Sequence, residues 1–161
     1  MRDPLLQAGA MALIGLTLAS CASTPASSTI ADTTARTPQL STLNRLIVEA
    51  GLGDTLRSQG PFTVFAPSDD AFRAVPAKIM AELGSDKELL KSVLTYHVVP
   101  GKTMAADVKN ANTKTVNGAK LALAKAGAMV TVEEAVVVQA DVAASNGVVH
   151  VIDRVLLPPK K

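Results

Sequence analysis

The sequence predicts an α+β domain, because two different hydrophobic periods divide its folded part. Over residues 40–50 and 89–94 the apolar residues recur at helical spacing. Beyond about residue 110 the period changes to two, which is typical of short strands. Asn-Gly pairs, the strongest short-range signal for hairpins, lie between these runs at Asn117-Gly118 and Asn146-Gly147. Helices in the first half and strands in the second half favour the α+β class.

The composition sets the size of the core and excludes one class of partner. A chain of 161 residues is long enough for one domain with its own core. Only 2% of the residues are aromatic, so aliphatic side chains must fill that core. Sixteen basic and fourteen acidic residues give a net charge of +2 without a basic stripe. Nucleic-acid binding needs clustered cations and stacking aromatics, so we expect no nucleic-acid partner.

The N-terminus carries the pattern of an export signal. Residues 8–19 form an apolar run that is too short to span a bilayer of about 30 Å. The run ends in Leu18-Ala19-Ser20-Cys21, which resembles a bacterial lipobox, and Cys21 is the only cysteine. Residues 1–21 are therefore predicted to be a signal peptide, with Cys21 as the lipidated residue. The alternative is ordinary cleavage near Ala22, which leaves a soluble periplasmic or secreted protein.

The residues after Cys21 predict location and flexibility. In Gram-negative hosts, alanine at position 22 predicts a lipoprotein sorted to the outer membrane, where it faces the periplasm or the exterior. Residues 22–38 are rich in Ala, Ser, Thr and Pro, which bury little surface, so they are predicted to form a flexible tether. The folded domain is expected over residues 39–159.

Periodicity and terminator residues predict the elements of the helical half in order. Glycine is expected to end two helices, proline to begin one, and the capping box Ser85-x-x-Glu88 another. The predicted elements are a helix over 40–50, a turn over 54–58, a strand over 62–66, a helical turn over 71–74, helices over 77–83 and from 85 to about 95, a strand at 98–99 and a short helix over 104–108.

The second half is predicted to consist of strands joined by tight turns. The two Asn-Gly pairs favour type I′ turns, which need a left-handed backbone at both central residues. Strands are predicted over 113–116, 121–124, 129–132, 136–140 and 148–156.

The cluster Ser68-Asp69-Asp70 directly after Pro67 admits two interpretations. A hydroxyl beside two carboxylates could be a nucleophile with its base, or part of a metal site. A catalytic serine needs a base within hydrogen-bond reach, and the chain has no G-x-S-x-G elbow. Serine is also among the best N-cap residues, and the helix dipole favours acidic residues in the first turn. We interpret Ser68 as a helix N-cap.

His97 and His150 are the only histidines. With Asp153 they could ligate zinc, but no H-x-x-x-H or similar spacing supports this, and Asp153 points to the opposite face of the strand from His150. The favoured interpretation is that each imidazole hydrogen-bonds to the backbone or to a neighbouring side chain and holds a loop against a strand. The acidic residues at 133, 134 and 153 are interpreted as surface charges.

Three motifs in one order resemble the fasciclin (FAS1) domain family. The first is Thr63-Val64-Phe65-Ala66-Pro67-Ser68-Asp69-Asp70-Ala71-Phe72, which resembles the first signature of the family. Leu94-Thr95-Tyr96-His97-Val98-Val99-Pro100 is similar to its central Tyr-His motif, and the segment 144–158, with Asn146-Gly147 and His150, is similar to its second signature. The resemblance covers residues 39–159, which is a whole domain.

The resemblance implies a wedge of about seven β-strands with several helices packed against it. It implies adhesion through a protein or matrix component at a cell surface, with no catalytic activity, cofactor or metal. Tyr96 and His97 correspond to the proposed adhesion motif of the family. The other motif residues are expected to be structural; they are Thr63, Phe65, Pro67, Ser68, Asp69, Phe72, Asn146, Gly147, His150 and Asp153. The alternatives are an envelope protein that carries a small or lipidic ligand, or a hydrolase or metalloenzyme that uses Ser68, Asp69 and the histidines.

Overall fold

A computed structural model describes residues 28–159, so the predicted signal peptide and Cys21 lie outside the described residues. Within this range the chain forms six α-helices and seven strands, and the predicted α+β class is confirmed. The helices are α1 Ile30–Arg36, α2 Ser41–Glu49, α3 Gly53–Arg57, α4 Asp69–Arg73, α5 Ala77–Ser85 and α6 Lys87–Tyr96. The strands are β1 Phe62–Pro67, β2 Val98–Pro100, β3 Ala111–Lys114, β4 Lys120–Ala126, β5 Met129–Val132, β6 Ala135–Ala144 and β7 Gly147–Ile152.

One sheet in the order β2-β1-β7-β6-β5-β4-β3 joins all of these strands. β1 and β7 are parallel, and the other pairs are antiparallel. β6 belongs to both halves of the sheet: it follows β7 along most of its length but pairs with β5 only at Val136 and Ala135. The two halves therefore diverge along β6, which produces the predicted wedge. The outer strands approach each other where Val116 N donates to Val98 O at 2.8 Å.

Successive side chains of β1 and β7 point to opposite faces of the sheet, so the core has two parts. Val64 and Val151 point to the helices and pack with the apolar faces of α2 and α6. Phe65 and Ile152 point to the other face and pack with residues of β4 and β5, among them Leu121. Each central strand is thus buried on both faces, which explains its continuous apolar sequence.

The prediction of a flexible tether over 22–38 is wrong for its second part, because α1 occupies residues 30–36. Thr29 and Asp32 form a capping box at its start, and Ile30 is fully buried. α1 packs against α2 and α3. The Ala/Ser/Thr/Pro-rich composition does not reveal this helix, whose N-cap and buried Ile30 contribute to its docking. The remaining tether residues, 22–27, lie outside the described residues.

Several local predictions are also wrong. α5 continues through Gly84 to Ser85, and the N-cap of α6 is Asp86, whose carboxylate accepts from Glu88 N at 2.9 Å. The predicted helix over 104–108 is absent, since residues 105–107 form a turn, and β7 ends at Ile152. Neither asparagine of the Asn-Gly pairs has the left-handed backbone that a type I′ turn requires. β3 and β4 are joined by five residues, 115–119, and β6 and β7 by residues 145–146.

Candidate functional site

Ser68 is the N-cap of α4, as the sequence predicts. Its Oγ accepts from Ala71 N at 3.2 Å, and its own backbone N donates to Ile152 O at 3.0 Å. Within residues 28–159 no histidine or carboxylate hydrogen-bonds to this hydroxyl. The geometry is that of a cap that joins the end of β1 to the end of β7, not that of an activated nucleophile.

Asp69 caps α2, whereas the preceding residue, Ser68, caps α4. α2 has no cap from its own preceding residue, and Asp69 supplies one: Oδ1 accepts from Thr42 N at 2.8 Å and Oδ2 from Ser41 Oγ at 2.6 Å. Burial alone would raise the pKa of Asp69, but the hydrogen bonds from Ser41 and Thr42 outweigh it and lower the pKa below its usual value. The carboxylate is therefore held ionised between two helix starts.

The imidazole of His97 joins α6 to the C-terminal segment. Nδ1 lies 2.7 Å from Val93 O, to which it donates, and Nε2 accepts from Leu156 N at 3.0 Å. These two bonds fix the tautomer with the proton on Nδ1. Complete burial lowers the pKa of His97 to about 4 from its ordinary value of 6.5, although the bond to Val93 opposes this. The ring is thus neutral at physiological pH.

His150 holds a loop on the sheet in the same way. Its Nδ1 accepts from Asp141 N at 3.1 Å and its Nε2 donates to Thr103 O at 2.8 Å. The ring stacks on Phe65 at 5.6 Å between centroids. All four ring nitrogens of the two histidines therefore have backbone partners, and the part of the chain that the structure describes contains no group of three possible metal ligands.

The remaining motif residues also serve the backbone. Thr63 Oγ1 donates to Gly101 O at 2.6 Å and accepts from Thr103 N at 2.8 Å. Pro67 ends β1, and Phe65 and Phe72 are buried on opposite faces of the sheet.

Asn146 and Gly147 lock the hairpin between β6 and β7. Asn146 Oδ1 accepts from Ile30 N at 2.9 Å, and its Nδ2 donates to Leu56 O and Ser58 O at 2.7 and 2.8 Å. A Cβ atom on Gly147 would lie 1.9 Å from the carbonyl oxygen of Phe62. Glycine is thus required at 147 by the close approach of β1, not by a turn conformation.

Tyr96 and His97, the predicted adhesion residues, are only 3% and 2% exposed. Both side chains are buried in the domain, so the structure does not present them as exposed contact residues. Tyr96 OH donates to Lys120 O at 3.2 Å and lies 3.5 Å from Glu133 Oε1. Burial, and after it the charge of Glu133, raise the pKa of this phenol.

Glu133 and Asp153 are exposed, as predicted, but they are not merely surface charges. Glu133 has a left-handed backbone (φ 53°) in the turn between β5 and β6. Its Oε1 accepts from Ala122 N at 2.8 Å while its own N donates to Ala122 O at 2.8 Å. Asp153 Oδ1 accepts from Val136 N at 2.7 Å. Sequence reasoning missed both roles; for Glu133 the signal available was the two-residue acidic turn between β5 and β6, and Asp153 had no comparable local signal.

An open cleft of about 460 Å³ lies where β6 begins and β7 ends. Tyr96 lines its inner wall, and the mouth carries Glu134, Arg154 and Leu157. Arg154 Nη1 lies 3.8 Å from Glu134 Oε2, and Leu157 is 46% exposed. We call this region the cleft end. It combines an exposed aliphatic side chain with charges of both signs.

A second, apolar cavity lies between the helices and β1. Its lining includes Leu43, Leu52, Phe62 and Leu94, and its volume is about 30 Å³. That is the volume of roughly one water molecule, whereas ligand sites measure about 300–1,000 Å³.

No helix within residues 28–159 is both long and apolar enough to cross a membrane.

Comparison with known proteins places this geometry in a family. Residues 38–158 match the model of the Fasciclin domain. The chain is 44% identical over 142 residues to protein sll1483 of Synechocystis sp., covering 87% of this chain and 79% of that protein. It is 36% identical over 135 residues to the cell surface glycolipoprotein MPB83 of Mycobacterium bovis, covering 81% of this chain and 60% of that protein.

A solved structure shares the fold. It is a FAS1 domain pair from the insect cell adhesion molecule Fasciclin I, with a TM-score of 0.65, 19% identity, and coverage of 81% of this chain and 51% of that chain. At this identity the likeness establishes the fold alone.

Proposed function

The chain belongs to the fasciclin domain family, and on that premise we propose that it is an exported, lipid-anchored adhesion module without catalytic activity. In this proposal it binds a protein or matrix component non-covalently at the cell surface. The observation that carries the proposal is that the polar side chains of the family motifs stabilise the fold. Ser68, Asp69, His97 and His150, the residues that an enzyme would need, all hydrogen-bond to backbone groups of the domain.

We place the contact surface at the cleft end. Leu157 supplies exposed apolar area, and Arg154 and Glu134 supply charges whose side chains are 61% and 90% exposed. Arginine is one of the residues enriched at protein interfaces. Tyr96 supports this surface from below through Lys120 O and does not contact the partner itself.

The lipid anchor is proposed at Cys21, and the outer membrane is the proposed location in a Gram-negative host. The lipobox-like Leu18-Ala19-Ser20-Cys21 motivates it, and the printed name of the relative MPB83 describes a cell surface glycolipoprotein. Cys21→Ser should move the protein from the membrane fraction to the soluble fraction of the host. Retention of this variant in membranes would contradict lipid anchoring.

The ligand-carrier alternative has less support. A lipid chain would need the apolar cavity to widen far beyond its volume of about 30 Å³. Mass spectrometry of molecules that co-purify with the protein tests it directly.

The adhesion proposal is tested by oriented capture. The mature chain from residue 21 contains one thiol, so maleimide beads couple it through Cys21 in the orientation of the proposed anchor. The beads are mixed with host cells and, separately, with extracted matrix. Arg154→Glu reverses a charge and Leu157→Ser removes exposed apolar area; if each costs about 1 kcal/mol of contact energy, capture falls by about fivefold.

Val48→Ser is the matched control, because Val48 is 69% exposed on α2 and does not line the cleft. Its capture should equal that of the unchanged protein. Absence of capture by both cells and matrix would overturn the adhesion proposal. Capture that is unaffected by either cleft variant would overturn the placement of the contact surface.

A further inference from the structure

The chain enters the domain at a fixed point beside the hairpin between β6 and β7. Ser28 O accepts from Ser145 N at 2.8 Å, and Ser28 Oγ accepts from Arg36 Nη1 at 3.0 Å. Two residues later, Ile30 N donates to the side chain of Asn146. The hydrogen bonds and the burial of Ile30 fix where the N-terminal segment leaves the surface. We call this region, with residues 58–61 and 144–147, the hairpin end.

The distance from this point to Cys21 is short. Residues 22–27 separate Cys21 from Ser28, so seven Cα–Cα steps of about 3.6 Å span at most roughly 25 Å. Because α1 is docked, residues 30–36 add nothing to this reach. A membrane that holds Cys21 therefore lies within about one domain diameter of the hairpin end.

The surface around the entry point is concave, polar and carries cations. A shallow cleft of about 520 Å³ is lined by Thr29, Ser58 and Ser145 and is flanked by Arg57 and Lys102. Arg36 is exposed at its edge, where it contacts Ser28.

Two carboxylates lie nearby and partly offset these cations. Arg57 is 4.0 Å from Asp32 and 3.7 Å from Asp54, with its side chain 56% exposed. Lys102 forms no ion pair with any carboxylate of residues 28–159. Of the cations that line this cleft, Lys102 and the exposed part of Arg57 are thus available to an external anion.

We propose that the hairpin end lies against an anionic phospholipid membrane, with Lys102 and Arg57 at the headgroup phosphates, and that the cleft end faces away from it. This inference rests on the proposed lipid anchor. β7 runs from the hairpin end to the cleft end over six residues, about 20 Å. The membrane and the proposed partner therefore occupy opposite ends of the same central strands.

The orientation is measured on vesicles to which the anchor is supplied chemically. The mature chain is coupled through Cys21 to a maleimide lipid in vesicles of phosphatidylglycerol and phosphatidylcholine. The rates of lysine acetylation are then read by mass spectrometry, and Lys102 is compared with Lys120 of the cleft end. Lys102 should react about fivefold more slowly than in the vesicle-free protein, because an anionic surface favours each nearby cation by about 1 kcal/mol. Lys120 should react at its vesicle-free rate.

Equal protection of both lysines, or protection of Lys120 alone, would overturn the orientation. Equal protection of Lys102 on pure phosphatidylcholine vesicles would overturn the contact with anionic headgroups. Arg57→Glu should reduce the protection of Lys102, whereas Arg73→Glu on α4 should leave it unchanged; the reverse result would contradict the proposal. The coupling does not depend on lipidation in the cell, so this result is separable from the membrane-release test of Cys21→Ser and from bead capture.

Discussion

The two ends of the central strands are closed in different ways. At the hairpin end, backbone segments contact each other directly at two glycines. A Cβ atom added to Gly60 or to Gly147 would lie 2.0 or 1.9 Å, respectively, from a carbonyl oxygen of the adjacent segment. At the cleft end, side chains accept from backbone N–H groups that the strand ladder leaves unpaired. The carboxylates of Glu133 and Asp153 and the imidazole of His97 are three such acceptors.

The difference explains why polar residues of this domain resemble catalytic ones. Buried backbone N–H groups need acceptors, and where strands and helices end the neighbouring backbone cannot supply them. Side chains with an acceptor atom, among them Ser, Asp, Glu and His, can supply them. Their clustering at one end of a sheet therefore follows from strand termination, and catalysis is not required to explain it.

The largest effect is expected at the hairpin end, from Gly147→Ala. The added methyl group would overlap Phe62 O, so β1 or β7 must move. We expect a loss of about 3 kcal/mol or more in the free energy of unfolding, measured by denaturant titration. Gly84→Ala is the control, since nothing lies within 4 Å of its added Cβ in α5, and it should gain about 0.5–1 kcal/mol. A cost below about 1 kcal/mol for Gly147→Ala would contradict direct backbone contact as the way in which the hairpin end is closed.

At the cleft end, His97→Gln should destabilise by about 2–4 kcal/mol near neutral pH, because Val93 O and Leu156 N lose well-placed partners in a buried site. The folded pKa of His97, about 4, lies below its ordinary 6.5, so between these values the unfolded chain binds the proton more readily. The stabilisation by His97 is complete above pH 6.5 and is lost progressively as the pH falls to about 4.

The difference in the free energy of unfolding between the unchanged protein and His97→Gln should therefore decrease on acidification, by up to about 3 kcal/mol. Other titrating groups are common to both proteins and cancel in the difference. Unfolding titrations at several pH values measure it. Parallel stability curves from pH 4 to 6.5 would contradict a neutral, buried imidazole.

A smaller effect separates the two neighbouring aspartates at the start of α4. Asp69→Ala removes the cap of α2 and should cost about 1 kcal/mol. Asp70→Ala removes only an exposed ion pair with Arg73 and should cost about 0.5 kcal/mol or less. Both aspartates lie in the same first turn, so the difference isolates the cap supplied to α2. Equal melting temperatures for the two variants would show that this cap contributes nothing measurable.

What the sequence predicts well is local or periodic. The helix that ends at Gly51, the cap at Ser68 and the strands of the second half depend on spacing within a few residues. The structure has all of them, although β3 begins two residues before the strand predicted over 113–116 and ends at Lys114. The three family motifs add the wedge, which periodicity does not specify. The polar bonding of the two histidines also follows from simple chemistry, since a buried imidazole needs partners.

What the sequence does not predict is long-range. The cap of α2 comes from Asp69, 27 residues beyond Thr42, and the partner of His97 at Leu156 is 59 residues away. The burial of Tyr96 and His97, which removes them from any contact surface, depends on the docking of the C-terminal segment and β4. A local signal did precede α1, the capping box from Thr29 to Asp32, and it could have predicted this helix.

The smallest effect is expected at Glu133, where two contributions oppose each other. Glu133→Gly relieves a left-handed backbone that costs a non-glycine residue about 1–2 kcal/mol, but it removes a hydrogen bond of about 0.5–1.5 kcal/mol to Ala122 N. The net change in the free energy of unfolding should lie within about 1 kcal/mol of zero, by denaturant titration. If the side chain matters only for this bond, Glu133→Gln should retain most of the stability.

The same glutamine variant has a second readout in the pKa of Tyr96. Tyr96 is the only tyrosine and the chain has no tryptophan, so tyrosinate absorbance reports this one phenol. Removing the negative charge of Glu133 should lower the pKa of Tyr96 but leave it above its ordinary value, because burial is the larger cause of the shift. An unchanged pKa would mean that Glu133 does not contact the phenol in solution. The phenol of Tyr96 would then be held at the cleft end by its hydrogen bond to Lys120 O alone.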